Sequence, residues 1–188
     1  MRWFALLFAA LLATPAMADD VCEDLWFTRN LIMDRAGYCF GSALGQAVFD
    51  NSDCIGKSVS VSASDQRLVN EIRAQEKVLE CRVNTKRTRL SLADMETRRK
   101  LVNLPVRDEF ESSCIHWLLD RAPLYAGHDE GTPIVGRVEP GDNIMWSHIS
   151  GVEGWGYVTI TGPDWGAVKS AGWLPSPKDS SACRQWAG

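Results

Sequence analysis

Six cysteines, spread from Cys22 to Cys183, restrict the folds available to this chain more than any other feature of its sequence. They follow an N-terminal segment in which Arg2 precedes an apolar run and a small-residue site, Ala16-Met17-Ala18. This is the layout of a cleaved secretory signal peptide, because about ten apolar residues cannot cross a bilayer core roughly 30 Å thick. We therefore predict a signal peptide over residues 1–18 and export to the periplasm or the extracellular space. No further membrane-spanning segment is expected after cleavage.

In an oxidising compartment, an even number of cysteines indicates disulfides. The sequence has no C-x-x-C pair, and its one close Cys/His pair, Cys114 and His116, lacks a second ligand pair at zinc-site spacing. Three disulfides are therefore predicted, with no metal and no cofactor. Six cysteines allow fifteen pairings, so the cysteine count alone leaves the connectivity open.

The charges are unevenly distributed. Residues 82–104 carry seven basic and two acidic side chains, whereas residues 19–81 and 105–188 each carry six basic and eleven acidic ones. The exported chain is acidic overall and its basic residues are scattered, which argues against a nucleic-acid partner. We interpret residues 82–111 as a basic connector with a solvated charged side, partly helical over residues 91–104 and ended by Pro105.

Residues 19–81 have the pattern of a small helical module. Apolar residues between Glu23 and Ala36 recur at helical spacing, and Gly37 is suited to end that helix. Ser42 is a good N-cap for a short second helix, and Ser64 or Asp65 is the predicted cap of a third.

The same module resembles the YARHG domain over residues 25–80. That family has the pattern R-N-x-I-Y-A-R-H-G-Y-x-F, followed by a short helix ending in an aromatic residue and by a third helix. Met33, Asp34 and Ala36 depart from this pattern. The resemblance implies an extracytoplasmic accessory module. The matching residues are Arg29, Asn30, Ile32, Arg35, Gly37, Tyr38, Phe40 and Phe49.

Arg29, Asn30 and Arg35 have two interpretations. In the structural one, Asn30 and Arg35 hydrogen-bond loop carbonyls and hold the bend from Gly37 to Phe40. In the functional one, the three side chains form an anion-binding corner for a glycan or a peptide carboxylate, because arginine binds carboxylates through paired hydrogen bonds.

Beyond Cys114 the pattern changes to short β-prone runs separated by turn sequences such as Pro140-Gly141-Asp142 and Gly162-Pro163-Asp164. Residues 118–176 resemble the bacterial Src-homology-three-like domain. The resemblance rests on Leu124–Gly127, on Thr132–Asp142 with its P-I-V-G core, on Gly154–Val158 and on Gly172–Leu174. It implies a small β-barrel, although Pro123-Leu124-Tyr125 replaces the N-V-R triplet that helps to shape the binding groove in relatives.

The expected fold class is thus α+β: a small, disulfide-linked helical module at residues 19–81, the connector, and an all-β Src-homology-three-like barrel at residues 112–188. Disulfides are expected within modules. Cys114 and Cys183 bracket the barrel, Cys22 and Cys81 lie at the two ends of the helical module, and Cys39 and Cys54 flank its second helix. We therefore predict the pairs Cys114–Cys183, Cys22–Cys81 and Cys39–Cys54.

No catalytic constellation is evident. The three histidines all follow residue 115, and neither a Ser/His/Asp set nor a cysteine–histidine domain of enzyme size is recognisable. We predict a monomeric, non-catalytic binding protein that recognises cell-wall glycan or peptide, with an interaction or inhibitory module for an exported enzyme as the alternative. The candidate contacts are Trp165, on a Gly-rich turn, Tyr125, at the edge of the expected groove, and the corner formed by Arg29, Asn30 and Arg35.

Overall fold

The computed structural model describes residues 16–149, 151–177 and 180–188, except for the side chains of residues 16–19, 109 and 180. The predicted signal peptide lies outside the described residues apart from Ala16–Ala18, the first residues of α1. None of the helices within these ranges has the length and apolarity needed to cross a membrane. The helices are α1 (Ala16–Arg35), α2 (Ala43–Val48), α3 (Ala63–Val78) and α4 (Met95–Arg98).

Local signals define three of the helix ends. Gly37 follows α1 with a φ of +81°, a left-handed conformation that glycine adopts at low cost. Ser42 caps α2 as predicted, because its Oγ accepts a hydrogen bond from the Gly45 N–H at 3.1 Å. The predicted cap of α3 is wrong by two or three residues. Ser62 is the cap, and its Oγ accepts from the Asp65 N–H at 3.1 Å.

Aromatic side chains form the centre of the helical region. The rings of Phe40 and Phe49 stack with centroids 4.6 Å apart, and Phe27 stacks on Phe49 at 5.6 Å. Leu90, from the connector, is buried in the same cluster. Two disulfides close this region, Cys22–Cys81 and Cys39–Cys54.

The C-terminal region is an antiparallel sheet of seven strands in the order β3-β2-β6-β5-β4-β1-β7. With β3 and β7 at its edges, the sheet is not closed, so the expected barrel closure is absent from the described residues. The strands are β1 (Val106–Trp117), β2 (Ala122–Tyr125), β3 (Ile134–Val138), β4 (Asn143–Ile149), β5 (Trp155–Thr161), β6 (Ser170–Pro175) and β7 (Cys183–Ala187).

The third disulfide, Cys114–Cys183, joins β1 to the edge strand β7. The three cysteine pairs in the structure are therefore the same three that the module ends suggested. Both cysteines of this pair lie in the main apolar core of the sheet, against residues such as Ile144, Val158 and Leu174.

The connector differs from expectation. Its only helix in the described residues is the four-residue α4, and β1 begins at Val106, inside the predicted connector. Leu101 is buried against Tyr157 and Trp173 of the sheet. Val106 packs with Leu25 of α1 and Ile72 of α3 in one cluster. The connector is thus part of the packing between the helices and the sheet.

Candidate functional site

A buried group of charges joins the helices, the connector and the sheet. Arg98, only 1% exposed, lies at its centre. Its Nη1 and Nη2 donate to Asp24 Oδ1 and Oδ2, each at 2.5 Å, and its Nε donates to Asp94 Oδ2 at 2.9 Å. The expectation that the charged side of the connector faces solvent is therefore wrong for Arg98, which two carboxylates neutralise within the protein.

Two side chains from the sheet complete this group. The Tyr157 hydroxyl donates to Asp94 Oδ2 at 2.7 Å, and His148 Nε2 lies 3.1 Å from Asp24 Oδ2 and 2.9 Å from Arg98 Nη2. Burial alone would raise the pKa of Asp24, but the charge of Arg98, together with hydrogen bonds from Arg98 and His148, holds it well below its usual range. Burial lowers the pKa of His148. Asp24 and Arg98 are therefore charged at neutral pH, while His148 is neutral.

The structure also assembles a Ser/His/Asp chain that the sequence does not reveal. His148 Nδ1 lies 3.2 Å from Ser147 Oγ, while its Nε2 faces Asp24. Two features separate this chain from a hydrolase triad. Ser147 is only 6% exposed, and Asp24 already accepts both hydrogen bonds of a guanidinium. We interpret the group as a structural junction.

Next to this junction, a cavity of about 550 Å³ opens between the helices and the sheet. Binding sites in proteins occur preferentially where structural units meet, and this volume lies in the range of small-ligand sites. Ile32, Leu68, Val106 and Ile149 supply apolar surface. The polar lining comes from Arg35, Ser64, Asp65, Arg67, Glu71, Asn103 and His128.

Arg35 is held at the cavity from one side. Its Nη2 donates to the carbonyl oxygens of Arg98, Arg99 and Leu101, at 3.3, 3.1 and 2.9 Å. These three carbonyls belong to Arg98, at the centre of the buried junction, and to residues just after it. The junction therefore fixes the backbone segment to which Arg35 is bound. In the described part of the chain, Arg35 Nε and Nη1 have no hydrogen-bond partner, and the side chain is exposed. An oriented guanidinium with free donors is a binding group for a carboxylate or another anion.

The opposite wall comes from α3 and carries both signs of charge. Arg67 and Glu71 lie four residues apart and are exposed, yet they form no ion pair within the described residues. Asp65 accepts a hydrogen bond from Ser62 Oγ at 2.7 Å and lies close enough to Arg35 to attract it.

Asn103, His128 and Trp173 form the wall on the sheet side. The Trp173 Nε1–H donates to the Asn103 carbonyl at 2.8 Å, and Asn103 Oδ1 accepts from the His128 N–H at 3.2 Å. The His128 ring meets Trp173 edge-on at 4.2 Å. Gly127 permits this arrangement, because a β-carbon there would collide with Asn103 Oδ1. The arrangement leaves the Asn103 amide nitrogen available as a donor.

The predicted corner on α1 is not one site. Arg29 makes a two-pronged ion pair with Glu76 of α3, with Nε 3.0 Å from Oε2 and Nη2 3.0 Å from Oε1. Asn30 is buried, and its Nδ2 donates to the Trp26 carbonyl one turn earlier, at 2.7 Å. Only Arg35 of the three lines the cavity. Arg35 does bind loop carbonyls, although they belong to residues 98–101 and not to the Gly37–Phe40 bend.

The two aromatic candidates lie elsewhere. Tyr125 is buried, and its ring meets Trp155 edge-on at 5.8 Å. Trp165 is 46% exposed on the turn between β5 and β6, with a φ of +58°. Neither residue lines the cavity.

Sequence reasoning missed the cavity residues on α3 and the sheet. Arg67 and Glu71 are ordinary exposed helix residues by pattern, and Asn103 falls in the connector. The Gly127 position in the Leu124–Gly127 motif was the one available signal, because a glycine at a strand end often marks a close approach of another chain segment.

Comparison with known proteins gives two family matches. Residues 4–77 match the YARHG domain, which confirms that part of the sequence interpretation. Residues 80–188 match the family described as Domain of unknown function (DUF4453), and the Src-homology-three-like identity is not confirmed. No curated protein and no solved structure matches the chain. Since the second match covers more than half of the 188 residues, the chain belongs to the DUF4453 family, with a YARHG domain in its N-terminal part.

Proposed function

We propose that this protein is an exported, non-catalytic binding protein of the cell envelope. It recognises a cell-wall glycan or peptide in the cavity between the helices and the sheet. The three disulfides support a location in the periplasm or outside the cell, because such bonds persist in oxidising compartments.

One observation carries the proposal: Arg35 is fixed at the cavity by three backbone carbonyls, while its Nε and Nη1 make no hydrogen bond to any described residue. The free carboxylate of a cell-wall peptide suits such a receptor, because arginine binds carboxylates through paired hydrogen bonds. Prior positioning of the guanidinium reduces the entropy lost on binding.

The test is retention of the mature protein, residues 19–188, on purified cell-wall sacculi. Val102 lines the cavity with an exposed side chain, so Val102→Trp should fill the cavity and reduce retention at least tenfold. Arg35→Gln should have a similar effect. Arg73→Gln, on an exposed position of α3 outside the cavity, is the matched control and should bind normally.

Melting temperatures of all the variants show whether a loss of retention reflects unfolding. If the Val102→Trp protein is folded and binds as well as the wild type, the cavity is not the site. Trp165→Ala tests the aromatic contact predicted from the sequence. A loss of retention in that variant alone would place the site on the β5–β6 turn.

An interaction module for an exported protein is the second candidate function. Val78, 81% exposed, and Leu79 form an apolar groove at the end of α3, together with Arg107 and Asp108. Exposed apolar surface of this kind is a feature of protein-binding sites. Under this alternative, Val78→Asp should abolish cross-linking to a defined exported enzyme and leave retention on sacculi unchanged.

We further propose that the C-terminal sheet is a divergent relative of Src-homology-three-like domains. The order and spacing of the Leu124–Gly127, Gly154–Val158 and Gly172–Leu174 segments support this relationship. An experimental structure compared with such domains tests it; a different strand order in the matched segments would reject it.

A further inference from the structure

We infer that the cavity selects a short peptide, two or three residues long, whose free carboxylate binds Arg35 and whose free ammonium group binds Glu71. This inference rests on the proposed function and adds a ligand class and a binding direction. It is drawn from the placement of opposite charges at two ends of an apolar surface.

The carboxylate end follows from the surroundings of Arg35. Its Nη2 is committed to three carbonyl oxygens, so the ligand has the Nε–H and the Nη1–H donors available. Asn103 lines the same cavity, and its Nδ2 donates no hydrogen bond within the described residues, so it offers a neutral donor. Asp65 is near Arg35 but makes no ion pair with it within the described residues, so a ligand carboxylate has no competitor in direct contact.

The ammonium end follows from the position of Glu71 on α3. Glu71 lies six positions after Asp65 on α3, which corresponds to about 9 Å along the helix axis at 1.5 Å per residue, and both residues line the cavity together with Arg35. Glu71 is exposed and has no ion-pair partner in the described part of the chain, so its carboxylate is free to accept from a ligand. An extended peptide spans roughly 3.3–3.6 Å per residue, so two or three residues bridge about 9 Å.

Apolar side chains lie between the two charged ends. Leu68 is on α3 between Asp65 and Glu71, next to the exposed Arg67, and Val106 and Ile149 line the cavity from the sheet. This surface suits a small apolar side chain on the ligand. A neutral glycan would use neither end of the site, whereas a zwitterionic peptide uses both charges and the surface between them.

Calorimetric titration of residues 19–188 with three defined probes tests the inference. The probes are tri-alanine, tri-alanine amide and N-acetyl-tri-alanine, which carry both charges, only the ammonium and only the carboxylate. We expect tri-alanine to bind at least tenfold more tightly than either blocked form. Glu71→Gln should weaken tri-alanine about fivefold or more and leave N-acetyl-tri-alanine unchanged, because that probe lacks the ammonium group.

Glu80→Gln is the matched control, since Glu80 is an exposed acid just beyond the end of α3 and outside the cavity. Its affinity for tri-alanine should equal that of the wild type. Equal binding of tri-alanine and its acetylated form, or equal weakening of both by Glu71→Gln, would overturn the inference.

Failure of this inference is distinguishable from failure of the proposed function. The protein could be retained on sacculi, with retention reduced by Val102→Trp, while none of the three peptides binds. In that case the cavity takes a different envelope component, and the peptide inference is wrong. If the wild-type protein is not retained on sacculi at all, the proposed function itself fails.

Discussion

At the scale of single residues, Arg98 joins α1, the connector and the sheet. Its guanidinium contacts carboxylates from α1 and from the connector, and it lies 5.6 Å from the centre of the Tyr157 ring. Burial alone would lower the pKa of Arg98, but Asp24 and Asp94 raise it, so the cation is retained. Removing one partner of such a buried group leaves the others charged and without compensation.

Arg98→Met is therefore expected to lower the free energy of unfolding by about 3–5 kcal/mol, the cost of leaving buried carboxylates without a countercharge. Urea unfolding measures the change. Lys100→Met, two residues away and exposed, should change the unfolding free energy by no more than about 0.5 kcal/mol. A similar small effect of Arg98→Met would show that the junction does not contribute to stability.

His148 should make stability depend on pH in mildly acidic solution. Burial lowers its pKa in the folded protein, so below the ordinary value of 6.5 the unfolded chain binds more protons than the folded one. The free energy of unfolding should then fall as the pH decreases from 7 to 5, by up to about 1.4 kcal/mol per pH unit. His148→Gln should flatten this part of the profile, measured by urea unfolding at several pH values. Unchanged slopes in the variant would contradict the assignment.

Stability should also depend on pH in a second, more acidic range, in which Asp24 titrates. The pKa of Asp24 is held low in the folded state, so its stabilising effect is present above the ordinary value of 3.8 and is lost as the pH falls toward the folded value. Protonation of His148 and protonation of Asp24 both lower the free energy of unfolding, so both weaken the junction in acid.

At the scale of elements, the disulfides compensate for short helices and small local cores. The helix α2 has only six residues, and α4 has four, so neither would be stable in isolation. Cys39–Cys54 encloses α2 within a loop of 15 residues, and Cys22–Cys81 ties α1 to the chain just beyond α3 across 59 residues.

Replacing each cysteine pair with alanine should lower the unfolding free energy according to loop length. We expect about 3 kcal/mol for Cys39/Cys54 and about 4 kcal/mol for Cys22/Cys81, from the lost restriction of the unfolded chain. Urea unfolding without reductant measures both values. A larger loss for the shorter loop would indicate that packing around α2, and not chain entropy, determines the effect.

At the scale of the whole molecule, the helices and the sheet share buried contacts. Leu25, Ile72 and Val106 form one cluster drawn from α1, α3 and β1, and Asp24, the partner of Arg98, directly precedes Leu25. Arg35 ties the end of α1 to the connector backbone. Contacts of this kind couple the unfolding of the parts that they join.

We therefore expect one cooperative unfolding transition. Far-ultraviolet circular dichroism follows the helices, and tryptophan fluorescence largely follows the sheet, where Trp117, Trp146, Trp155 and Trp173 lie. The two signals should have the same urea midpoint. Two separated midpoints would mean that the YARHG and DUF4453 parts fold independently.

The sequence by itself determined the features that depend on short-range interactions. Ser42 caps α2 through a hydrogen bond to a residue three positions away, and Gly37 ends α1 through its own backbone conformation. The strands after residue 130 lie where short β-prone runs are separated by turn sequences. The expected module ends also led to the three cysteine pairs, because Cys22 and Cys81 lie near the two ends of the helical region and Cys39 and Cys54 flank α2.

Only the tertiary structure decided which charged residues are buried and which line the cavity. Arg98 and Lys100 lie in the same basic segment, yet Arg98 is buried because Asp24, 74 residues away, reaches it. His148 meets Asp24 across 124 residues, and Arg35 is oriented by carbonyls more than 60 residues away. The physical reason is that burying a charge is very costly unless a group of opposite charge pairs with it. The tertiary fold determines which oppositely charged groups come together.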